Sequence, residues 1–141
     1  MPPLKVTLDF DRRIPIYRQI YETVLAALAS GALERDEQLP TIHKLAGELG
    51  VNPNTVSRAY RDLERDGHIV ARRGRGTFPA SAKPKPPRKQ QRESILARIF
   101  QRALAESARH RIDVQDLADY FDRRFRTTLQ GDDRDSKTNN G

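Results

Sequence analysis

Asn54, Arg58, Arg61 and Arg65 recur at intervals of three and four residues, with Ser57 beside Arg58, in the stretch VNPNTVSRAYRDLERD (51–66). At about 100° per residue of an α-helix they gather on one side, and Val56, Ala59, Tyr60 and Leu63 gather on the other. Asn carries an acceptor and two donors on one planar amide, and Arg carries a planar fork of donors. Each can bond twice to one purine edge in the DNA major groove, Asn to adenine and Arg to guanine. Ser and Thr hydroxyls, and the open N–H groups at a helix start, suit phosphate oxygens. Only the first turns of such a helix reach a groove floor, so Asn54, Ser57 and Arg58 are candidates for base contact and Arg61 for phosphate. Arg65 lies beyond reach or pairs with an acid of its own helix. The competing reading of this face is ordinary surface charge, with Arg58 beside Asp62 and Arg61 beside Glu64 and Arg65.

A second basic constellation follows in HIVARRGRGTF (68–78). Two short strands flank Arg73-Gly74-Arg75-Gly76, where the glycines permit the positive φ of a tight hairpin. Arg72, Arg73 and Arg75 occur with no acid between Ala71 and Phe78. A tip of that kind, next to a duplex, can reach a minor groove or the phosphate backbone.

Nothing else in the chain offers comparable chemistry. His43, His68 and His110 lack metal-ligand spacing, and there is no cysteine to join them or to form a disulfide. Asp113, Asp116, Asp119 and Asp122 recur every three residues as the wet edge of a helix rather than as a cation site. No Gly-rich phosphate loop, paired carboxylates or Ser/His/Asp arrangement stands out. The expectation is a protein that is not an enzyme and takes no metal or cofactor. His68 is expected at the beginning of the hairpin and His110 at a helix end.

The elements that must position these residues can be read from local pattern. LKVTLDF (4–10) alternates Leu4, Val6, Leu8 and Phe10, which predicts a strand with one buried side. Pro15 fits the first position of a helix over 15–29, with Ile16, Ile20, Val24 and Leu28 on one face and Gly31 as its stop. Leu39 is expected in the core. Thr41 caps a short helix over 42–49 with Leu45, Ala46 and Leu49 inward, and Gly50 ends it. Asn52 caps the third helix, with Pro53 at its first position, and Gly67 stops it. A short helix, a turn and a longer polar-faced helix make a helix-turn-helix, and the basic hairpin makes it winged. The predicted fold class is mainly α with a small β-hairpin, a winged helix-turn-helix domain over 1–78.

Residues 79–91, with four prolines and four basic side chains, read as a linker. A helix over 92–110 carries Ile95, Ile99 and Ala103 or Leu104. A last helix over 114–129, capped by Asp113, carries Val114, Leu117, Phe121 and Phe125, and the polar stretch 130–141 is expected to lack structure. Two such helices, about 40 residues, hold too little apolar surface for an independent domain. A twofold homodimer through Ile95, Ile99, Leu117, Phe121 and Phe125 would complete their core. Packing back onto the chain's own first domain is the alternative.

The bulk numbers agree with a nucleic-acid partner. The chain has 141 residues and a net charge of +7. Residues 1–80 hold 12 basic and 10 acidic side chains, and residues 81–92 hold five basic and none acidic. The folded parts are therefore nearly balanced and the excess is local. No apolar run approaches the ~18 residues of a membrane span. Met1-Pro2-Pro3 leads into a strand-like segment and not a secretory signal. The cytoplasm is expected.

PIYRQIYETVLAALASGAL, LPTIHKLAGELGVNPNTVSRAYRDLERDG and RRGRGTF together resemble the winged-helix domain of GntR-family transcriptional regulators, over residues 10–78. NPNTVSRAY and the short two-helix C-terminal part are most similar to the YtrA subfamily. The resemblance implies a small dimeric repressor that binds a palindromic operator in double-stranded DNA and is released by an effector or another signal. No residues can be assigned to an effector. DNA contacts implied by the resemblance map onto Thr41, His43, Asn52, Asn54, Thr55, Ser57, Arg58, Arg61, Arg72, Arg73, Arg75 and Gly76. His43 stands where the family commonly has Arg, which implies a shorter, weaker and pH-sensitive contact. Pro53 and Ser57 also stand where many relatives carry Arg, so operator preference does not transfer. The residues themselves leave a second class open: a winged-helix module that docks a protein or RNA and never reads DNA.

Overall fold

The computed structural model describes the backbone of residues 4–81 and 85–137, and side chains as far as Gln130. The chain divides into two compact units, with the boundary between Pro84 and Lys85. The first holds α1 (Ile16–Ala29), α2 (Ile42–Leu49), α3 (Pro53–Arg65), β1 (Ile69–Arg72) and β2 (Gly76–Pro79). The second holds α4 (Lys89–Arg109) and α5 (Val114–Lys137).

Local chemistry sets the helix ends of the first unit. Pro15 is the residue before α1, not its first residue, and its carbonyl accepts from Arg18 N and Gln19 N. The Thr41 hydroxyl accepts from Lys44 N at 3.2 Å, and the Asn52 carbonyl oxygen accepts from Asn54 N at 2.8 Å. Each bond satisfies an N–H that the helix itself leaves open. Gly50 closes α2 at φ 67°, in the left-handed region where a side chain is disfavoured.

The core forms around α3. Val56, Ala59 and Leu63 are fully buried and Tyr60 nearly so. They pack against Ile20 and Val24 of α1, Leu45 and Ala46 of α2, and Ile69 of β1, with Leu33 and Leu39 filling between. Burial of each large aliphatic side chain contributes roughly 1.5–3 kcal/mol. The hairpin is antiparallel, pairing Ile69 with Pro79, Val70 with Phe78, Ala71 with Thr77 and Arg72 with Gly76.

Several expectations are corrected. Residues 4–9 are extended but form no strand, because no described strand lies along them to complete a ladder. Their alternation survives as packing: Leu4 is buried and Val6 and Leu8 lie against the core, while Phe10 is exposed. The Gln19 side chain replaces the missing ladder, accepting from Asp9 N and donating to the carbonyls of Asp9 and Ile14. Pro79 belongs to β2 and not to the linker, at the strand's end, where a missing N–H is tolerated. α4 begins at Lys89, after the extended backbone of its N-cap Arg88, and not at 92. α5 continues through Lys137, so the stretch from 130 expected to lack structure is helical to that point; residues 138–141 lie outside the described residues.

In the second unit α4 and α5 pack on each other. The turn between them is closed by Ser107, whose buried hydroxyl donates to the Ile112 carbonyl at 2.9 Å. His110 caps α4, and the Asp113 carboxylate accepts from Gln115 N at 2.7 Å, as a helix cap should. Ile95, Ala103, Leu104 and Leu117 are half-buried, and Ile99, Phe121 and Phe125 are exposed, together with Leu96, Phe100, Tyr120 and Leu129. No apolar side chain described in this unit is buried. Among the described residues no helix is long and apolar enough to cross a membrane.

One polar contact ties α1 to the end of α3. The Tyr21 hydroxyl donates to the Asp66 carboxylate, and the Tyr21 ring meets His68 edge to face. Tyr21 and then Arg65 hold the Asp66 carboxyl below its usual range. Burial, then the Asp66 bond and charge, push the Tyr21 phenol up to about 12. A phenol raised on folding stabilises the fold below its unfolded value of 10.0, and that contribution is lost as pH rises from there towards about 12. Urea midpoints measured across that window should fall more steeply for the parent chain than for Tyr21→Phe. Equal slopes would show that the phenol does not couple to folding.

Candidate nucleic-acid interface

The buried stripe of α3 turns its other side outward. Asn54, Arg58 and Arg61 are exposed, and Thr55 and Ser57 are half-buried at the margin. Arg65 bridges Asp62 at 3.1 Å and Asp66 at 3.2 Å. That arrangement differs from the pairings that a plain surface-charge reading expects. Asp62 is engaged by Arg65 rather than Arg58, and neither Arg58 nor Arg61 forms an ion pair among the described residues. Arg58 instead lies over the Tyr17 ring, 3.8 Å from its centroid. Two cations on one face that no carboxylate pairs favour an anion there.

Two hydrogen bonds join the pieces around α3. The Tyr60 hydroxyl donates to the Pro40 carbonyl at 2.7 Å, and Leu39 N donates to the Thr77 carbonyl at 2.8 Å. The chain entering α2 is thus held by β2 at Leu39 and by α3 at the next residue, Pro40. Thr41 and His43, both exposed, follow at once at the start of α2. Burial holds the Tyr60 phenol far above its ordinary range, with the Glu48 charge adding to it, so the hydroxyl remains a donor.

Arg73, Gly74 and Arg75 form the tip of the hairpin, where Arg75 N donates to the Arg72 carbonyl at 2.9 Å. Gly74 and Gly76 have φ of 75° and 111°. The nearest atoms a Cβ at Gly76 would meet belong to the exposed Gln38 side chain, so the positive φ is what favours glycine there. Arg72 lies 5.2 Å over Phe78 on the same face of the hairpin. Arg72, Arg73 and Arg75 are all exposed and form no ion pair among the described residues.

The predicted residues fall into two kinds. Asn54, Arg58, Arg61, His43, Arg72, Arg73 and Arg75 present side chains outward. The others are of a second kind: Thr41 and Asn52 already use their side-chain oxygens as helix caps, Thr55 and Ser57 are half-buried, and Gly76 contributes backbone shape. Sequence reasoning missed Tyr17 and Phe78 as the rings beneath Arg58 and Arg72. Only Tyr17 had a signal: Tyr17, Tyr21, Val24 and Leu28 recur at helical spacing as a second edge of α1. The aspartates of α5 are partly engaged within the helix, Asp119 by Gln115 and Asp122 by Arg126. Among the described residues no group of three or more His, Asp or Glu could hold a metal ion.

This arrangement has relatives. The family described as "Bacterial regulatory proteins, gntR family" matches residues 16–78. The HTH-type transcriptional repressor YtrA of Bacillus subtilis (strain 168) is 40% identical over 73 residues, which cover 52% of this chain and 56% of the repressor. The match therefore spans little more than half the length of that relative. Among solved structures, YtrA from Sulfolobus acidocaldarius, a GntR-family transcription factor, is 34% identical with a TM-score of 0.55, over 71% of this chain and 97% of that one. A transcriptional antiterminator from Listeria monocytogenes EGD-e aligns over 89% of this chain and 92% of its own, with a TM-score of 0.64 and 26% identity.

The bond between Tyr60 and Pro40 predicts a measurable cost. Tyr60→Phe leaves the Pro40 carbonyl without its partner in a partly buried place, which should lower unfolding stability by about 1 kcal/mol. The urea slope should not change, because the surface exposed on unfolding is nearly the same. An unaltered midpoint would mean that water replaces the hydroxyl at no cost.

Proposed function

For a chain that belongs to the gntR family of bacterial regulatory proteins, we propose a sequence-specific DNA-binding regulator, acting as a dimeric repressor on a palindromic operator. The observation that carries this reading is the division of charge on α3. Arg65 draws in both nearby aspartates, and Arg58 and Arg61 face outward without a carboxylate. Asn54, Ser57 and Arg58 are placed on base edges, Arg58 on guanine and Asn54 on adenine. Arg61 belongs on phosphate. Thr41, His43, Asn52 and Thr55 approach the backbone with the starts of α2 and α3, whose open N–H groups favour a phosphate. The hairpin adds Arg72, Arg73 and Arg75 beside the duplex, with Gly76 keeping its tip narrow.

The second unit supports the dimer. Ile99, Phe121 and Phe125 are 58%, 40% and 59% exposed, with Leu96, Phe100 and Leu129 beside them in the sequence pattern. That much apolar surface on two helices exceeds scattered single exposures and favours a partner helix pair. A second copy supplies it with twofold symmetry, and two DNA-reading units then address two half-sites. Dissociation by an effector belongs to the same scheme.

Selection of duplexes from a randomised pool by the intact chain, followed by binding titrations against salt, tests the reading. Arg58→Ala should lose roughly 1–3 kcal/mol on the selected duplex and relax preference at one base pair. Arg75→Ala should weaken all duplexes alike and reduce the salt slope by about 1. A pool with no enriched sequence would return this face to the other class, docking of a protein or RNA. In sedimentation, the parent chain should run as a dimer and the Phe121→Asp, Phe125→Asp double variant as a monomer. A monomeric parent would remove the dimer from the scheme.

A further inference from the structure

Arg58 is exposed and long, and a side chain of that kind ordinarily samples many rotamers. Here its guanidinium rests over the Tyr17 ring at 3.8 Å, well inside the ~6 Å at which a cation is attracted to an aromatic face. Tyr17 is the second residue of α1, half-buried and packed against the core. Its ring is therefore held by the same packing that holds α1 on α3. The acid one turn on from Arg58 in the same helix is engaged elsewhere: Asp62 binds Arg65 at 3.1 Å. The ring is the contact that restrains this guanidinium.

The kind of restraint matters chemically. A carboxylate would occupy the N–H donors at the guanidinium edge. An aromatic ring occupies the flat face and leaves the edge donors open. We propose that Tyr17 is a positioning residue for Arg58, holding its guanidinium by the face so that its edge is presented to one base pair. The inference rests on the reading of Arg58 as a base-contacting residue. It adds that the selectivity of that contact is set from α1, an element that carries none of the predicted contacts.

The test uses the full chain and the duplex it selects from a randomised pool, together with single-base variants of that duplex. The position read by Arg58 is the one at which Arg58→Ala loses preference. There, Tyr17→Leu should reduce discrimination roughly two- to fivefold, and Tyr17→Phe should preserve it. In the Arg58→Ala background, Tyr17→Leu should cost nothing further at that base pair, whereas a merely structural role would affect every position. Because Leu at 17 can also disturb packing, phenylalanines of increasing fluorination at position 17 supply a second series. Discrimination should fall stepwise as fluorine weakens the negative ring face at nearly constant shape. If Arg58→Ala loses preference but neither Tyr17→Leu nor fluorination does, the inference is overturned and the reading of Arg58 stands. Tighter binding by Tyr17→Leu would also overturn it, since the ring would then be withholding Arg58. If Arg58→Ala itself keeps full preference, the reading of Arg58 fails, and the inference falls with it.

Discussion

The burial of one stripe on α3 organises the first unit. Val56, Ala59, Tyr60 and Leu63 lie between α1, α2 and β1, and each of those elements packs on α3. A helix held along one side by three neighbours cannot rotate about its axis without exposing apolar area at roughly 25 cal/mol per Å². The outward face is consequently as well defined as the inward one. Asn54, Arg58 and Arg61 owe their common direction to side chains on the opposite side of the same helix. Preorganisation of this kind reduces what an ordered polar contact costs when a partner arrives.

Charge on that face is distributed by local competition. Asp62 stands within one turn of both Arg58 and Arg65, and Asp66 lies next to Arg65. Arg65 takes both acids, at 3.1 and 3.2 Å. As exposed pairs these contribute little to stability. Their consequence is spatial: negative charge collects at the C-terminal end of α3, where Asp66 also accepts from Tyr21. Arg58 and Arg61 are left without a carboxylate partner among the described residues, and the helix start keeps open N–H groups. Both of these favour anions. The hairpin extends the same polarity, since Arg72, Arg73 and Arg75 have no acid among their sequence neighbours.

The second unit presents a different problem. Its helices are well formed and their turn is closed by Ser107 and the Asp113 cap, yet no described apolar side chain in it is buried. Helices of this length gain most of their stability from packing an apolar face. The exposed row of Ile99, Phe121 and Phe125 is thus a demand that the two helices cannot meet by packing on each other. Phe10, exposed in the first unit, is an isolated case and makes no such demand.

Local chemistry in the sequence determined the three helices of the first unit, their caps and the hairpin. A cap, a stop glycine and a 3.6-residue period each act within a few residues, so Thr41, Asn52, Gly50 and the α3 stripe were legible without coordinates. Pro15 differed by a single position, because the first helical residue and the cap share the same tolerance for a missing N–H. Where a choice depended on distant chain, local pattern misled or was silent. Residues 4–10 alternate like a strand, but a strand exists only if another edge pairs with it, and Gln19 bonds that backbone instead. Arg58 had an acid four residues away, yet tertiary packing set it on Tyr17. The junction of Leu39 with Thr77 and Pro40 with Tyr60 joins segments far apart in sequence. Such pairings are selected by the shape of the assembled core, and no short window of residues contains that shape.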